Sequence, residues 1–151
     1  MAARTLRLVV VLLLFLASAT CGGAPTSPSR SEYIGTWVGS MTHPTAGVGA
    51  LTVAIDEGWD GIFDTGTWSS VFPDASYSDR GTVLVPIESQ TLGRAGFFLR
   101  TSRTCQDTSG RASGIEFIVT ATIVNNRMTG RFEEDGCTLP FAQGTVDLRR
   151  R

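Results

Sequence analysis

Residues 114–124, GIEFIVTATIV, decide how this chain folds. Ile115, Phe117, Val119, Ala121 and Ile123 alternate with Glu116, Thr120 and Thr122. A period of two sends one set toward a core and the other outward, as in a half-buried strand. Asn125-Asn126 follows at once. Asn tolerates positive φ, so the strand is expected to end in a tight hairpin turn. Leu51, Val53 and Ile55 repeat the alternation against Thr52, Ala54 and Asp56.

Working outward, the same pattern predicts eight strands, at 33–41, 49–56, 61–71, 80–88, 94–102, 114–124, 127–134 and 142–149. No stretch from residue 32 onward repeats apolar residues at the helical spacing. The segment DEGWDG, residues 56–61, is expected to close a second hairpin. Eight short strands without intervening helices imply an all-β, antiparallel up-and-down meander, closed into a small β-barrel or folded as a sandwich. Closure removes the exposed edges that invite aggregation, which favours the barrel. A weak repeat agrees: GTW at 35–37 and 66–68, GTV at 81–83 and 144–146, and GRF at 130–132. Glycine inside strands marks the bends and close approaches that a small barrel needs.

The strings IGTWVGSM, GALTVAID, GIFDTGTW and the final GTVDLRR resemble the opening and closing strands of avidin-like and lipocalin-like eight-stranded barrels. They are also similar to small bacterial envelope lipoproteins with Gly-Thr-Trp strands and two late cysteines. The resemblance spans residues 33–149 and implies a meander barrel. It does not extend to biotin: Val38-Gly39 follow Trp37 where an avidin-like protein carries polar ligands such as Asn.

The 151 residues allow one domain, at 32–151. Residues 1–20 read as a signal peptide. Arg4 and Arg7 precede an apolar run, and its Leu8–Ala19 core is too short to span a bilayer as a helix. Removing them leaves 11 Arg against 14 acidic residues, a charge of −3, with no Lys in the chain. A mildly acidic domain without a basic stripe argues against a nucleic-acid partner.

Two cleavage readings compete at LASATCGG, residues 16–23. Ala17-Ser18-Ala19 fits an ordinary signal peptidase, cutting before Thr20 and leaving a secreted or periplasmic protein. The stretch also resembles a lipobox, whose cysteine would be Cys21. The cysteine count favours the second reading. Of Cys21, Cys105 and Cys137, lipidation of Cys21 leaves the other two as a disulfide pair. Residues 21–31 then form a lipidated cysteine and a Gly/Pro/Ser tether, and the protein is anchored in the bacterial envelope, most naturally at the outer membrane.

In a meander, alternate links share one end of the barrel. The links after strands one, three, five and seven read THPTAGV, FPDASYSD, SRTCQDTSGRAS and DGCTLPF, and are longer than the others. Long loops on one rim are where small barrels carry function. His43, Asp74, Tyr77, Arg103 and Asp107 are the candidate binding residues there, and Cys105 and Cys137 fall on the same rim. His43, the sole histidine, is expected to be a surface loop residue. At the opposite end lie Trp59, which caps that end or touches a membrane interface, and Arg149–Arg151, expected to be a solvated terminus or, alternatively, to meet anionic headgroups.

Chemistry is sparse. No nucleophile-elbow or HExxH motif appears, and neither a metal site nor a cofactor is expected. Asp56, Asp60 and Gly61 share residues with a calcium loop, but Gly58 and Thr67 stand where ligands belong. Glu133, Glu134 and Asp135 read as a solvated strand end. The expectation is a non-enzymatic, lipid-anchored envelope protein that binds a small ligand or a protein through its long-loop rim. The alternative is an inhibitor of an envelope or extracellular enzyme acting through a protruding loop.

Overall fold

A computed structural model describes residues 32–59, 61–87, 95–106, 109–136 and 142–151. Eight strands follow one another: β1 (Gly35–His43), β2 (Gly47–Asp56), β3 (Phe63–Val71), β4 (Asp79–Pro86), β5 (Ala95–Gln106), β6 (Ala112–Val124), β7 (Arg127–Asp135) and β8 (Gln143–Arg150). Each pairs antiparallel with the next, and β1 pairs with β8 to close the barrel. Trp37 faces Val53 on β2 and Arg150 on β8, so the seam is fixed around one large side chain.

The interior follows the alternation. Trp37 and Met41 on β1, Leu51, Val53 and Ile55 on β2, Trp68 on β3, and Val83 and Val85 on β4 are buried. Phe97 and Leu99, Phe117 and Val119, Met128 and Phe132, and Val146 and Leu148 complete the core from the other four strands. Trp68 meets the edge of Phe117 at 5.8 Å between centroids, and Phe117 meets Phe132 at 5.6 Å. Such edge-to-face contacts add about 0.5–1.5 kcal/mol each beyond burial. Large rings fill the barrel because eight strands enclose room for side chains and little more. Where backbones must come closest, glycine replaces them. A Cβ on Gly39 would overlap the Asp147 carbonyl oxygen of β8.

Tyr33, just ahead of β1, is fully buried and closes the end where the chain enters. Its carbonyl accepts a hydrogen bond from Trp37 Nε1 at 2.8 Å. Arg150 continues the inward series of Val146 and Leu148, so its guanidinium lies 4.8 Å from the Trp37 ring centroid and donates to the Glu32 carbonyl. That corrects the expectation of a fully solvated Arg149–Arg151 run: Arg149 and Arg151 are exposed, but Arg150 is folded into the barrel end. Burial, reinforced by the charge of Glu32, pushes the Tyr33 phenol up to about 12.

Two strand boundaries differ from the sequence reading for identifiable reasons. The first strand runs on through Thr42 and His43, because THPTAGV contains only a three-residue turn, 44–46. Thr45 N and Ala46 N both donate to His43 Nδ1 at 3.1 Å, so a side chain satisfies the turn amides. The segment SRTCQDTSGRAS is mostly strand. Thr104–Gln106 pair with Ala112–Gly114 beyond a register shift between Arg100 and Thr104.

Two tests follow from this packing. Gly39→Ala should cost about 2–3 kcal/mol by overpacking against β8, while Gly114→Ala, which meets open space, should stay within about 0.5 kcal/mol; urea denaturation midpoints read both. Tyr33 makes stability fall with alkali. The unfolded phenol ionises near pH 10 and the folded one near 12, so the unfolded state releases its proton first as pH rises through that window. The denaturation midpoint should therefore hold below about pH 10 and drop above it. Tyr33→Phe should flatten that drop.

Candidate functional site

The rim opposite Tyr33 is built by the four turns that leave β1, β3, β5 and β7. At its centre His43 is buried, which corrects its reading as a surface loop residue. Alternation explains it: His43 follows Trp37, Gly39 and Met41 on the inward face of β1. Its ring stacks near Phe132 at 6.2 Å, meets Tyr77 at 5.3 Å and faces the edge of Phe72 at 6.3 Å. With Nδ1 accepting two amides, the neutral ring carries its proton on Nε2, which lies 3.8 Å from Glu134 Oε2. Nδ1 is therefore engaged by the turn, Nε2 faces the Glu134 carboxylate beyond hydrogen-bond distance, and the ring plugs the mouth of the barrel.

The other rim candidates divide. Tyr77 ends a 3-10 turn, Ala75–Tyr77, and folds back onto the core beside His43 instead of projecting. Asp74 is exposed and caps that turn: its Oδ1 accepts from Ser76 N at 2.9 Å and Ser76 Oγ at 2.7 Å. Those bonds hold its carboxyl below the usual carboxylate range. Phe72 and Tyr77 thus anchor both sides of an exposed segment, 73–76. Arg103 Nε donates to Asp79 Oδ2 at 2.7 Å, bracing β5 against the start of β4. The structure brings His43 and Tyr77 together; Arg103 stands apart from them in the ion pair with Asp79. Asp107 lies outside the described residues.

Beyond Thr101, β5 leaves β4, whose pairing with it covers only Gly81–Leu84. The continuation and the start of β6 form a two-stranded ribbon with exposed residues on both strands. A two-stranded ribbon is marginal on its own and needs bracing. Arg103 supplies one brace. Cys105 sits at a second, beside the exit of β7: a Cβ on Gly136 would lie 3.8 Å from Cys105 Sγ. Cys137, the next residue, lies outside the described residues, as do Cys21 and the rest of 1–31.

Concavities described on the molecule are outward and shallow. One is a groove of about 490 Å³ over β2, β3 and β4, lined by Thr52, Ala54, Thr67, Trp68, Arg80 and Ser102 among others. Another, of about 330 Å³, lies at the foot of the ribbon between Arg100, Glu116 and Asp135. Among the described residues, no group of three or more His, Cys, Asp or Glu converges as metal ligands would. No protein family matches the chain, and no curated protein or solved structure is significantly similar to it. The architecture itself is a closed eight-stranded meander, consistent with the lipocalin-like and avidin-like barrels that its strand strings resemble.

Sequence reasoning missed the approach of Glu134 to His43, although both lie on inward registers at the rim, on β7 and β1 to either side of β8. It also missed Arg150 and the buried Asp64, whose Oδ1 accepts from Gly58 N at 3.0 Å and ties the β2–β3 hairpin inward. Extending the period of two from Leu148 and back from Trp68 would have found both.

His43→Phe tests the plug. It keeps a ring among Phe72, Tyr77 and Phe132 but removes the acceptor for two amides. Hydrogen exchange at Thr45 and Ala46 should speed up by about five- to tenfold, matching the loss of about 1–1.5 kcal/mol of hydrogen bonding, with the distant β6–β7 turn unchanged.

Proposed function

We propose that this chain is a non-enzymatic, lipid-anchored protein of the bacterial envelope that docks a partner protein through the rim carrying the β5–β6 ribbon. One observation carries the reading. Aromatic rings fill the barrel and His43, Phe72 and Tyr77 cover its mouth, while the ribbon and the 73–76 segment project as ordered, exposed backbone. Core rings packed through the barrel disfavour an interior small-ligand site, and a ribbon offers a partner shape and backbone hydrogen-bonding groups. Cys105 and Cys137 form the disulfide that staples the ribbon to the β7–β8 connection. Bridging this span would stabilise the fold by about 3–4 kcal/mol through the unfolded chain.

Export and acylation of Cys21 supply the address. The tether joins the domain at the Tyr33 end, so the ribbon points away from the anchor. A second reading, an enzyme inhibitor, is favoured by the 73–76 segment, which Asp74 pre-orders and two aromatic anchors hold. In that reading the inserted residues are Pro73–Ser76, because Tyr77 faces inward.

The test is comparative capture from the native envelope with the full chain and two variants, Ala75→Arg and Ala112→Arg. Each places a bulky charge at an exposed alanine without touching the core. Docking through the rim predicts a protein enriched by wild type and lost by about tenfold or more with Ala112→Arg. Loss with Ala75→Arg alone points to the inhibitor, and enrichment of lipid without protein overturns both. Mass spectrometry of the mature chain should show acylated Cys21 and a Cys105–Cys137 bridge; an unmodified Thr20 start ends the anchor reading.

A further inference from the structure

Three apolar side chains stand exposed at the Tyr33 end. Trp59 is 98% exposed at the tip of the β2–β3 hairpin, with Ile62 on the same hairpin at 61%. Val124, beside the Asn125-Asn126 turn, is 64% exposed. A tryptophan left wholly in water on an otherwise economical barrel needs an explanation, because its sequence neighbours could equally be served by a small polar turn residue. Gly58, next to Trp59, donates to the buried Asp64 and so fixes the hairpin to the barrel end one residue before the exposed indole.

Charge at this end is mixed. Arg149 and Arg151 are exposed, and Arg127 is bonded to Asp147 at 2.8 Å. Asp56, Glu57 and Glu32 are the exposed acids among the described residues here. Near-balance of sign points away from a strongly anionic or cationic partner. Tryptophan, isoleucine and arginine together suit the interface between headgroups and acyl chains, where an amphipathic ring sits partly immersed and arginine reaches phosphates. Residues 1–31, with the apolar run and Cys21, join the domain at this same end, through Glu32 and Tyr33. The ten tether residues, 22–31, hold Glu32 within about 36–40 Å of Cys21.

We infer that the Tyr33 end is a membrane-seating surface, in which Trp59 and Ile62 enter the bilayer interface and fix the barrel upright with its ribbon pointing outward. The inference rests on the anchored reading for its tether but has its own observable. A single hairpin tip gives weak partitioning by itself; the tether raises its effective concentration at the surface and converts weak contact into a seated orientation.

Fluorescence tests it, because Trp37 and Trp68 are buried and leave Trp59 as the solvent-sensitive tryptophan. Full-length chain is placed on vesicles of phosphatidylethanolamine and phosphatidylglycerol, and on vesicles of phosphatidylcholine. Seating predicts a blue shift, protection from acrylamide and quenching by lipids brominated near the headgroup on both, all absent in Trp59→Phe. Vesicle-bound protein whose Trp59 stays as quenchable by acrylamide as in water overturns the inference while leaving the anchor intact. Protection that grows with protein concentration without vesicles also overturns it, in favour of a second copy. If Cys21 proves unacylated, coupling its thiol to a maleimide lipid restores the tether. The anchor reading then fails and the seating result still decides.

Discussion

Closure of β1 on β8 around Trp37 is the constraint on which the rest of the structure depends. The Trp37 ring occupies the seam, bonded to the Tyr33 carbonyl below it and covered by the Arg150 guanidinium. An eight-stranded barrel has a bore close to the size of its own side chains, so one indole at the seam dictates what its neighbours can be. Gly39 lies next inward on β1 because the β8 backbone comes too close for any side chain there. Met41 then refills the space, and His43 finishes the row. The strand thus reads large, none, large, large from one end to the other. The taper is set by the backbone, and the residues comply with it.

Sealing a barrel requires polar groups at its ends, and the two ends solve this differently. At one end Arg150 uses the face of an aromatic ring and a backbone carbonyl to hold a charge that its register forces inward. Tyr33 pays there with a hydroxyl that has no hydrogen-bond partner among the described residues. At the rim, His43 converts the same problem into a stabilising device. Its Nδ1 satisfies two turn amides, so a three-residue connection needs no water or glycine-rich loop to close. The aromatic contacts from Trp68 through Phe117 and Phe132 to His43 join the barrel's middle to that turn.

The alternation in 114–124 made the fold legible, because a period of two survives in every strand that has water on one side. Strand centres followed from it, and strand ends did not. Ends depend on what satisfies the turn, and the acceptor in the THPTAGV turn is a histidine ring that sequence reading treats as a surface group. The ribbon in SRTCQDTSGRAS was hidden for a related reason. It has no buried face, so its residues show no apolar alternation, and only pairing across the hairpin makes it a strand. The candidate rim was legible as a location. The roles of its residues were not: Tyr77 and His43 look like exposed recognition groups until the curvature of the barrel turns them inward.

The outward face of the barrel body differs in character from its two ends. On β1 to β3 it presents mostly small, uncharged residues, such as Thr36, Ser40, Thr42, Ala50, Thr67 and Ser69, with Asp56 as the charge and Val38, Val48 and Val71 as the exposed aliphatics. On β5 to β8 two pairs of charges meet across strands, Arg100 with Glu116 at 2.7 Å and Arg127 with Asp147 at 2.8 Å. Hot spots in interfaces are made by aromatic and arginine anchors that gain most on leaving water. A short uncharged side chain gains little, and an arginine already bonded to a carboxylate gains less than a free one. The fully exposed aromatic among the described residues, Trp59, stands at one end, and the projecting backbone of the ribbon stands at the other. Between the two ends, buried aromatic rings pack through the middle of the barrel. The described surface thus pairs a body of mostly short or ion-paired side chains with an exposed indole at one end and a ribbon at the other, and that asymmetry is what the proposed anchoring and docking rest on.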